Sequence, residues 1–264
     1  MLYNDEIILA AHRGDRKCCP ENTLPAFASA IDFGADMIET DIHMTRDGQL
    51  IILHDRNTKR TTGHDGWSNE MTYEEIRKLD AGAWFGEEFA GTRIPSVEEF
   101  IAQIKDTDLR INWELKDYPR EVGDDFAFAA ADRLISMIDK HGLRERSMLN
   151  SFSDRVLEHI VRHHGHDMPI HGQGIHNCCR ANDTASIPRE ELYDWCCLYP
   201  EEKGKSPLDY RENFDYCLSR GILPCVCIAD TYESYQKALE MGCKMFTTND
   251  MRECDQILKQ LSVR

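Results

Sequence analysis

Residues 12–14 read His-Arg-Gly, residues 39–41 Glu-Thr-Asp, residue 54 is histidine, and residues 114–116 read Glu-Leu-Lys. Three carboxylates with no nearby His or Cys ligand pattern, Glu39, Asp41 and Glu114, make an oxygen-rich set. Such a set prefers one hard divalent cation, Mg²⁺ or Ca²⁺. His12 and His54 sit on different segments and can act as general acid and base near neutral pH. Arg13 and Lys116 add two cationic side chains. The trio's three negative charges, set against a divalent ion and those two cations, leave one net positive charge, which suits a singly charged phosphodiester. Taken singly, each residue has an ordinary explanation: a surface histidine, a solvated Glu-x-Asp edge, a Glu114–Lys116 pair. Together they point to a site, because several charges on one face near a folded interior are costly without a purpose.

The elements that would position these residues follow from periodicity. Side chains two apart on a strand share a face, so Glu39 and Asp41 point one way, as do Glu114 and Lys116. Short apolar or β-branched runs predict strands over 7–12, 37–43 with a continuation at 50–54, 110–116, 147–152, 169–175, 194–198, 223–229 and 244–248. Amphipathic patterns predict helices over 23–33, 97–105, 124–140, 154–163, 207–219, 232–240 and 251–261. Asn22-Thr23-Leu24-Pro25 signals a helix start with Asn as the cap, and Ser153-Asp154 and Asn249-Asp250 repeat the signal. Gly142, Gly221 and Gly242 close helices. Arg46-Asp47-Gly48-Gln49 reads as a hairpin turn. This alternation predicts one domain over residues 1–264, a TIM (β/α)8 barrel with an insertion at about 55–95 that carries a short helix, Tyr73–Leu79. An open doubly wound sheet is the alternative. In a barrel all seven candidate residues fall at the C-terminal strand ends, the face that carries catalysis.

Composition narrows the partners. The chain has 264 residues, 41% hydrophobic and 30% charged, with a net charge of −16. So negative a surface repels nucleic acid, and a phosphate-bearing ligand needs a local cationic pocket. No apolar run reaches the ~18 residues of a transmembrane segment. Asp5 and Glu6 stand where a secretory signal would be basic. Eleven cysteines, an odd number with vicinal pairs at 18–19, 178–179 and 196–197, fit a reduced cytoplasmic setting. Cys225-x-Cys227 lies in an apolar run and reads as ordinary buried thiols rather than a zinc site.

Several motifs in one order resemble the glycerophosphodiester phosphodiesterase family of phospholipase-C-like phosphodiesterases. They are HRG…PENT (12–14 and 20–23), ETD (39–41), DGQLIILHD (47–55), RTTG (60–63), LDAGAWFGEEFAGTRIPSVEE (79–99), ELK (114–116) and, more thinly, GCKMFTTND (242–250). The resemblance implies a TIM barrel whose insertion follows the second strand. It implies that Glu39, Asp41 and Glu114 hold one divalent cation, that His12 and His54 are the acid–base pair, and that Arg13 and Lys116 bind phosphate oxygens. The implied reaction is hydrolysis of a glycerophosphodiester to glycerol 3-phosphate and an alcohol, with the free glycerol hydroxyl able to attack first and give a cyclic phosphate. Departures bear on substrate choice. Cys227-Ile228-Ala229-Asp230 stands where the family shows Trp-Thr-Val-Asn, so the aromatic wall against glycerol is expected to be missing. Asp15-Arg16-Lys17-Cys18-Cys19 replaces small and aromatic residues, and Asn249-Asp250 replaces the usual ending of the last strand. These changes leave open lysophospholipids or sugar or opine phosphodiesters as substrates, and a binding barrel without catalysis as a further alternative.

Overall fold

The computed structural model describes residues 6–176, 183–227 and 231–264. Nine strands form one sheet: β1 (Ile8–His12), β2 (Met37–Met44), β3 (Leu50–Ile52), β4 (Arg110–Leu115), β5 (Ser147–Ser151), β6 (Ile170–Gln173), β7 (Trp195–Cys197), β8 (Leu223–Cys227) and β9 (Met245–Thr248). Eight of them are parallel neighbours in the order β1-β9-β8-β7-β6-β5-β4-β2, and β1 pairs with β2 to close the ring. That closure excludes the open doubly wound sheet; the fold is a TIM barrel.

Period-two alternation divides the strands into two faces. Inward side chains include Ile8, Ala10, Met37, Met148, Trp195 and Met245, which pack together at the barrel floor. Outward ones, such as Leu9, Ile38, Ile111, Trp113 and Leu149, join the larger layer beneath the helices. The principal helices are α1 (Leu24–Phe33), α2 (Val97–Ile104), α3 (Asp124–Lys140), α4 (Asp154–His164), α5 (Arg211–Ser219), α6 (Tyr232–Glu240) and α7 (Met251–Gln260). Helix α3 shows why they dock: Ala127, Ala130, Ala131, Leu134, Ile135 and Ile138 recur at three- and four-residue spacing and are all buried. Phe27 of α1, Phe100 of α2 and Trp113 of β4 pack with centroids 4.5 and 5.6 Å apart, tilted and edge-to-face, and lock the first helices to the wall. Between β6 and β7 the described helix is a single turn, Arg189–Leu192.

Strand β3 is the exception to the parallel order. Met44 pairs with Leu50 and Ile42 with Ile52, antiparallel, so β2 runs past the barrel rim and β3 returns along it. Gly48 makes the turn at φ 83°. The excursion that follows holds short turns, Lys59–Thr62, Ser68–Glu70, Tyr73–Ile76 and Glu87–Phe89, where one helix to Leu79 is expected. The capping box of Thr72 and Glu75 starts the Tyr73 helix, but only Ile76 is buried to hold it, and it stops after one turn. Of the earlier expectations, the Cys178–Cys179 pair and the run Ile228–Asp230 lie outside the described residues. Among the described residues no helix is long and apolar enough to cross a membrane.

Candidate active site

The inward alternation of β2 and β4 brings the carboxylates together. Register pairs Glu39 with Asn112 and Asp41 with Glu114 across parallel strands. The donor oxygens of Glu39, Asp41 and Glu114 lie within 4.8 Å of one another, and all three residues are buried. Such crowding divides them electrostatically. Burial and the charges of Asp41 and Glu114 raise Glu39 well above the usual carboxylate range. Burial opposes ionisation of Asp41 too, but Lys116 and Arg13 outweigh it and hold that carboxyl well below the usual range. Lys116 Nζ lies 3.1 Å from Asp41 Oδ1 and 2.5 Å from Glu114 Oε1. Glu39 Oε1 is buried with no hydrogen-bond partner among the described residues. An orphaned carboxylate oxygen between two other carboxylates is the feature a hard cation would satisfy.

The turn after β1 carries the next residues. Arg13 at φ 60° and Gly14 at φ 78° bend the chain sharply. A Cβ at Gly14 would lie 2.8 Å from the Ala26 backbone, so only glycine fits there. Arg13 N–H donates to the Glu39 carbonyl at 3.0 Å, its Nε is 3.2 Å from Asp41 Oδ2, and its NH1 donates to Glu21 Oε1 at 2.8 Å. Arg13 and Lys116 are thus already engaged by carboxylates, and additional guanidiniums surround them. Glu21 is a buried hub that also accepts from Arg16 at 3.2 Å and from Arg60 at 2.7 and 3.0 Å. Arg16 is lowered from its ordinary value by burial despite Glu21, with Arg13 and Arg60 adding to the crowding. Adding Glu21 and Asp55 against Arg16 and Arg60 leaves the formal balance of the site unchanged.

His12 ends β1 facing inward. Its Nδ1 donates to Asn249 Oδ1 at 2.6 Å, and its Nε2 lies 3.8 Å from Glu39 Oε2. Burial, reinforced by Arg13, pushes this imidazole down to about 3, so it is neutral with Nε2 open. His54 reaches the same mouth by the returning hairpin: Leu53 N–H donates to the Asp41 carbonyl at 3.0 Å and brings His54 over the carboxylates. His54 Nδ1 lies 2.5 Å from Asp55 Oδ1. The hydrogen bond from His54, with those of Arg60, holds Asp55 well below the usual range. Beneath, His43 Nδ1 lies 2.6 Å from Asp117 Oδ1 and its Nε2 3.3 Å from the His54 carbonyl oxygen, fixing the hairpin.

All seven sequence-predicted residues therefore meet at one rim. Six of them line a cavity of about 380 Å³, and Asp41 lies just beneath it. Phe152 and Tyr199, with centroids 6.0 Å apart, also line it and supply aromatic faces beside Cys227. Cys227 stands in the cavity where the family's aromatic residue is absent, and rings from the ends of β5 and β7 line the cavity beside it. Lys17 faces out to Asp250 at 3.4 Å, whereas Arg16 faces in.

With this geometry in hand, similarity to known proteins is specific. A family model described as the glycerophosphoryl diester phosphodiesterase family matches residues 12–195. The chain belongs to that family. A glycerophosphodiester phosphodiesterase of Caldanaerobacter subterraneus subsp. tengcongensis is 40% identical over 159 residues, 59% of this chain and 62% of that protein. One of Bacillus subtilis is 34% identical over 167 residues, 60% of this chain and 56% of its own length. The chain thus spans less than two thirds of these relatives. Solved structures extend the likeness of fold. A putative glycerophosphoryl diester phosphodiesterase of Silicibacter pomeroyi superposes with a TM-score of 0.80 at 22% identity, covering 98% of this chain and 95% of that one. An Oleispira antarctica phosphodiesterase, solved with the product sn-glycerol-3-phosphate, gives 0.79 at 19% identity and 97% coverage of both.

For a member of this family, several positioning residues lie beyond the sequence reading. Asn22 is one. It was expected to cap α1, but Thr23 does so, accepting from Ala26 N–H at 3.5 Å. Asn22, at φ 58°, instead donates its amide to Asp41 Oδ2 at 2.7 Å. Likewise Asp250 caps α7, which frees Asn249 to hold His12. Glu21 and Asn22 stand inside the PENT motif, so the signal was present without the roles.

Proposed function

We propose that this chain hydrolyses glycerophosphodiesters to glycerol 3-phosphate and an alcohol, as a metal-dependent enzyme whose one catalytic domain is the whole barrel. The observation that carries the reading is the convergence of three buried carboxylates and two histidines, from separate strands, on one cavity. Glu39, Asp41 and Glu114 would hold one Mg²⁺ or Ca²⁺. When bound, that ion supplies Lewis-acid polarisation of the phosphoryl group and neutralises developing charge.

The protein's own residues supply the rest. Arg13, Arg16 and Lys116 face the cavity and position the diester's phosphate oxygens. His12, neutral with Nδ1–H held by Asn249, presents Nε2 as the base toward the attacking hydroxyl, whether that belongs to glycerol or to water. His54, its ring oriented by the Nδ1 contact with Asp55 Oδ1 at 2.5 Å, gives its proton to the leaving alkoxide. Phe152 and Tyr199 stand in a cavity of about 380 Å³ beside its charged residues, a size that suits a small glycerol headgroup better than the acyl chain of a lysophospholipid. We place the protein in a reducing compartment, the cytoplasm, a reading supported by the free thiols of all the described cysteines.

Purified protein with Mg²⁺ or Ca²⁺ should release glycerol 3-phosphate from glycerophosphocholine and glycerophosphoethanolamine. A panel of diesters including lysophosphatidylcholine and a sugar phosphodiester tests the headgroup. A clear preference for the lysolipid would overturn the substrate assignment.

A further inference from the structure

The inward face of β6, β7 and β8 carries soft donors where β2 and β4 carry carboxylates. His171 on β6, Cys197 on β7 and Cys225 on β8 are all buried, on neighbouring parallel strands. Their donor atoms lie within 4.8 Å of one another. Cys225 Sγ is 3.2 Å from His171 Nε2, and Cys227 Sγ is 3.1 Å from Cys197 Sγ. A lone buried thiol behaves as a small hydrophobe, which is how Cys225-x-Cys227 reads in isolation. Two thiols and an imidazole converging from three strands form a different object. With Cys227 beside Cys197 as the nearest further thiol, they offer the donor types of a thiophilic ion.

The dimensions suit such an ion. Metal–sulfur bonds of about 2.3 Å and a metal–nitrogen bond of about 2.0 Å set donor–donor edges of roughly 3.5–3.8 Å, so the close pairs need only part by a few tenths of an ångström. A second, independent feature is the support of the histidine. The Asn112 amide lies 3.1 Å from His171 Nδ1, and Asn112 Oδ1 is fully buried without a hydrogen-bond partner among the described residues. Turning that amide over lets Oδ1 accept the Nδ1 proton and aims the Nε2 lone pair at the sulfurs. This is the outer contact a ligating histidine commonly has.

We propose that His171, Cys197, Cys225 and Cys227 form a second metal site, selective for a thiophilic divalent cation of the Zn²⁺ type and distinct from the acidic trio. The site joins β6, β7 and β8 in the wall of the cavity, whose lining includes His171 and Cys227.

The test is Co²⁺ binding to the full, reduced chain, read by absorption. The site should take up about one Co²⁺ with intense thiolate charge-transfer and tetrahedral d–d bands. Excess Mg²⁺ should leave these bands in place and Zn²⁺ should abolish them. Cys225→Ser should remove them, and Glu39→Gln should not. If Cys225→Ser fails to fold by far-UV circular dichroism, Cys227→Ser or His171→Ala carries the same readout. Absence of a thiolate band in folded, reduced protein would overturn the proposal. So would bands that Mg²⁺ displaces, or that survive loss of every one of these donors.

Discussion

Glu21→Gln probes the electrostatic frame of the mouth. Glu21 is buried and faces three guanidiniums, of Arg13, Arg16 and Arg60. Burial alone would raise its carboxyl, but Arg60, Arg13 and Arg16 outweigh that and hold it at about 2, against an ordinary 4.5. A folded value below the unfolded one stabilises the fold above the unfolded value, and the gain fades as pH falls toward the folded value. The shift corresponds to roughly 3 kcal/mol at neutral pH, and to about half that by about pH 3. Arg60 is partly exposed, so solvent screening makes this an upper estimate. Urea unfolding of wild type and Glu21→Gln at a series of pH values gives the difference directly. The stability gap should be flat from neutrality to about pH 5 and then narrow steadily with acid. A gap below about 0.5 kcal/mol at neutral pH, or one that does not change with pH, would refute the hub, since removing one partner of a buried ion pair is strongly destabilising.

Further outcomes follow from other contacts. His54→Ala should lower kcat by about 10²–10⁴-fold without comparable loss of stability, measured by glycerol 3-phosphate release and thermal melting. Asn249→Ala, which frees His12 Nδ1 without touching substrate, should cost about tenfold in kcat, with Asn249→Asp recovering part of it; an unchanged kcat would remove Asn249 from the mechanism. Phe100→Ala should destabilise by about 3–5 kcal/mol in denaturant titration through loss of the Phe27–Phe100–Trp113 cluster.

Much of this was legible because strand periodicity is local. Glu39, Asp41 and Glu114 each sit one residue from a large apolar side chain that must face the helices, so their inward direction follows from Ile38, Ile42, Trp113 and Leu115. Barrel closure is different, since the β1–β2 pairing that joins His12 to Glu39 depends on the twist and stagger of the whole sheet. Capping shows a similar limit. Asn22 and Thr23 are both good caps by type, and only the tertiary demand of Asp41 for a donor decides between them. The short helix within the excursion at 55–95 starts at Tyr73 as expected but ends at Ile76 rather than Leu79, because a capping box signals a start while length depends on packing found elsewhere. His171, Cys197 and Cys225 are separated by at least 26 residues in sequence, with no shared spacing, so their meeting could not be seen before the strands were aligned.

The most direct measurement is turnover of glycerophosphocholine by the purified chain, followed as glycerol 3-phosphate, before and after exhaustive chelation and again on adding Mg²⁺ or Ca²⁺. Activity should vanish with chelator, return with either hard cation, and stay absent in Glu114→Gln. Full activity after chelation, or in Glu114→Gln, would contradict the reading of Glu39, Asp41 and Glu114 as the metal centre of this barrel.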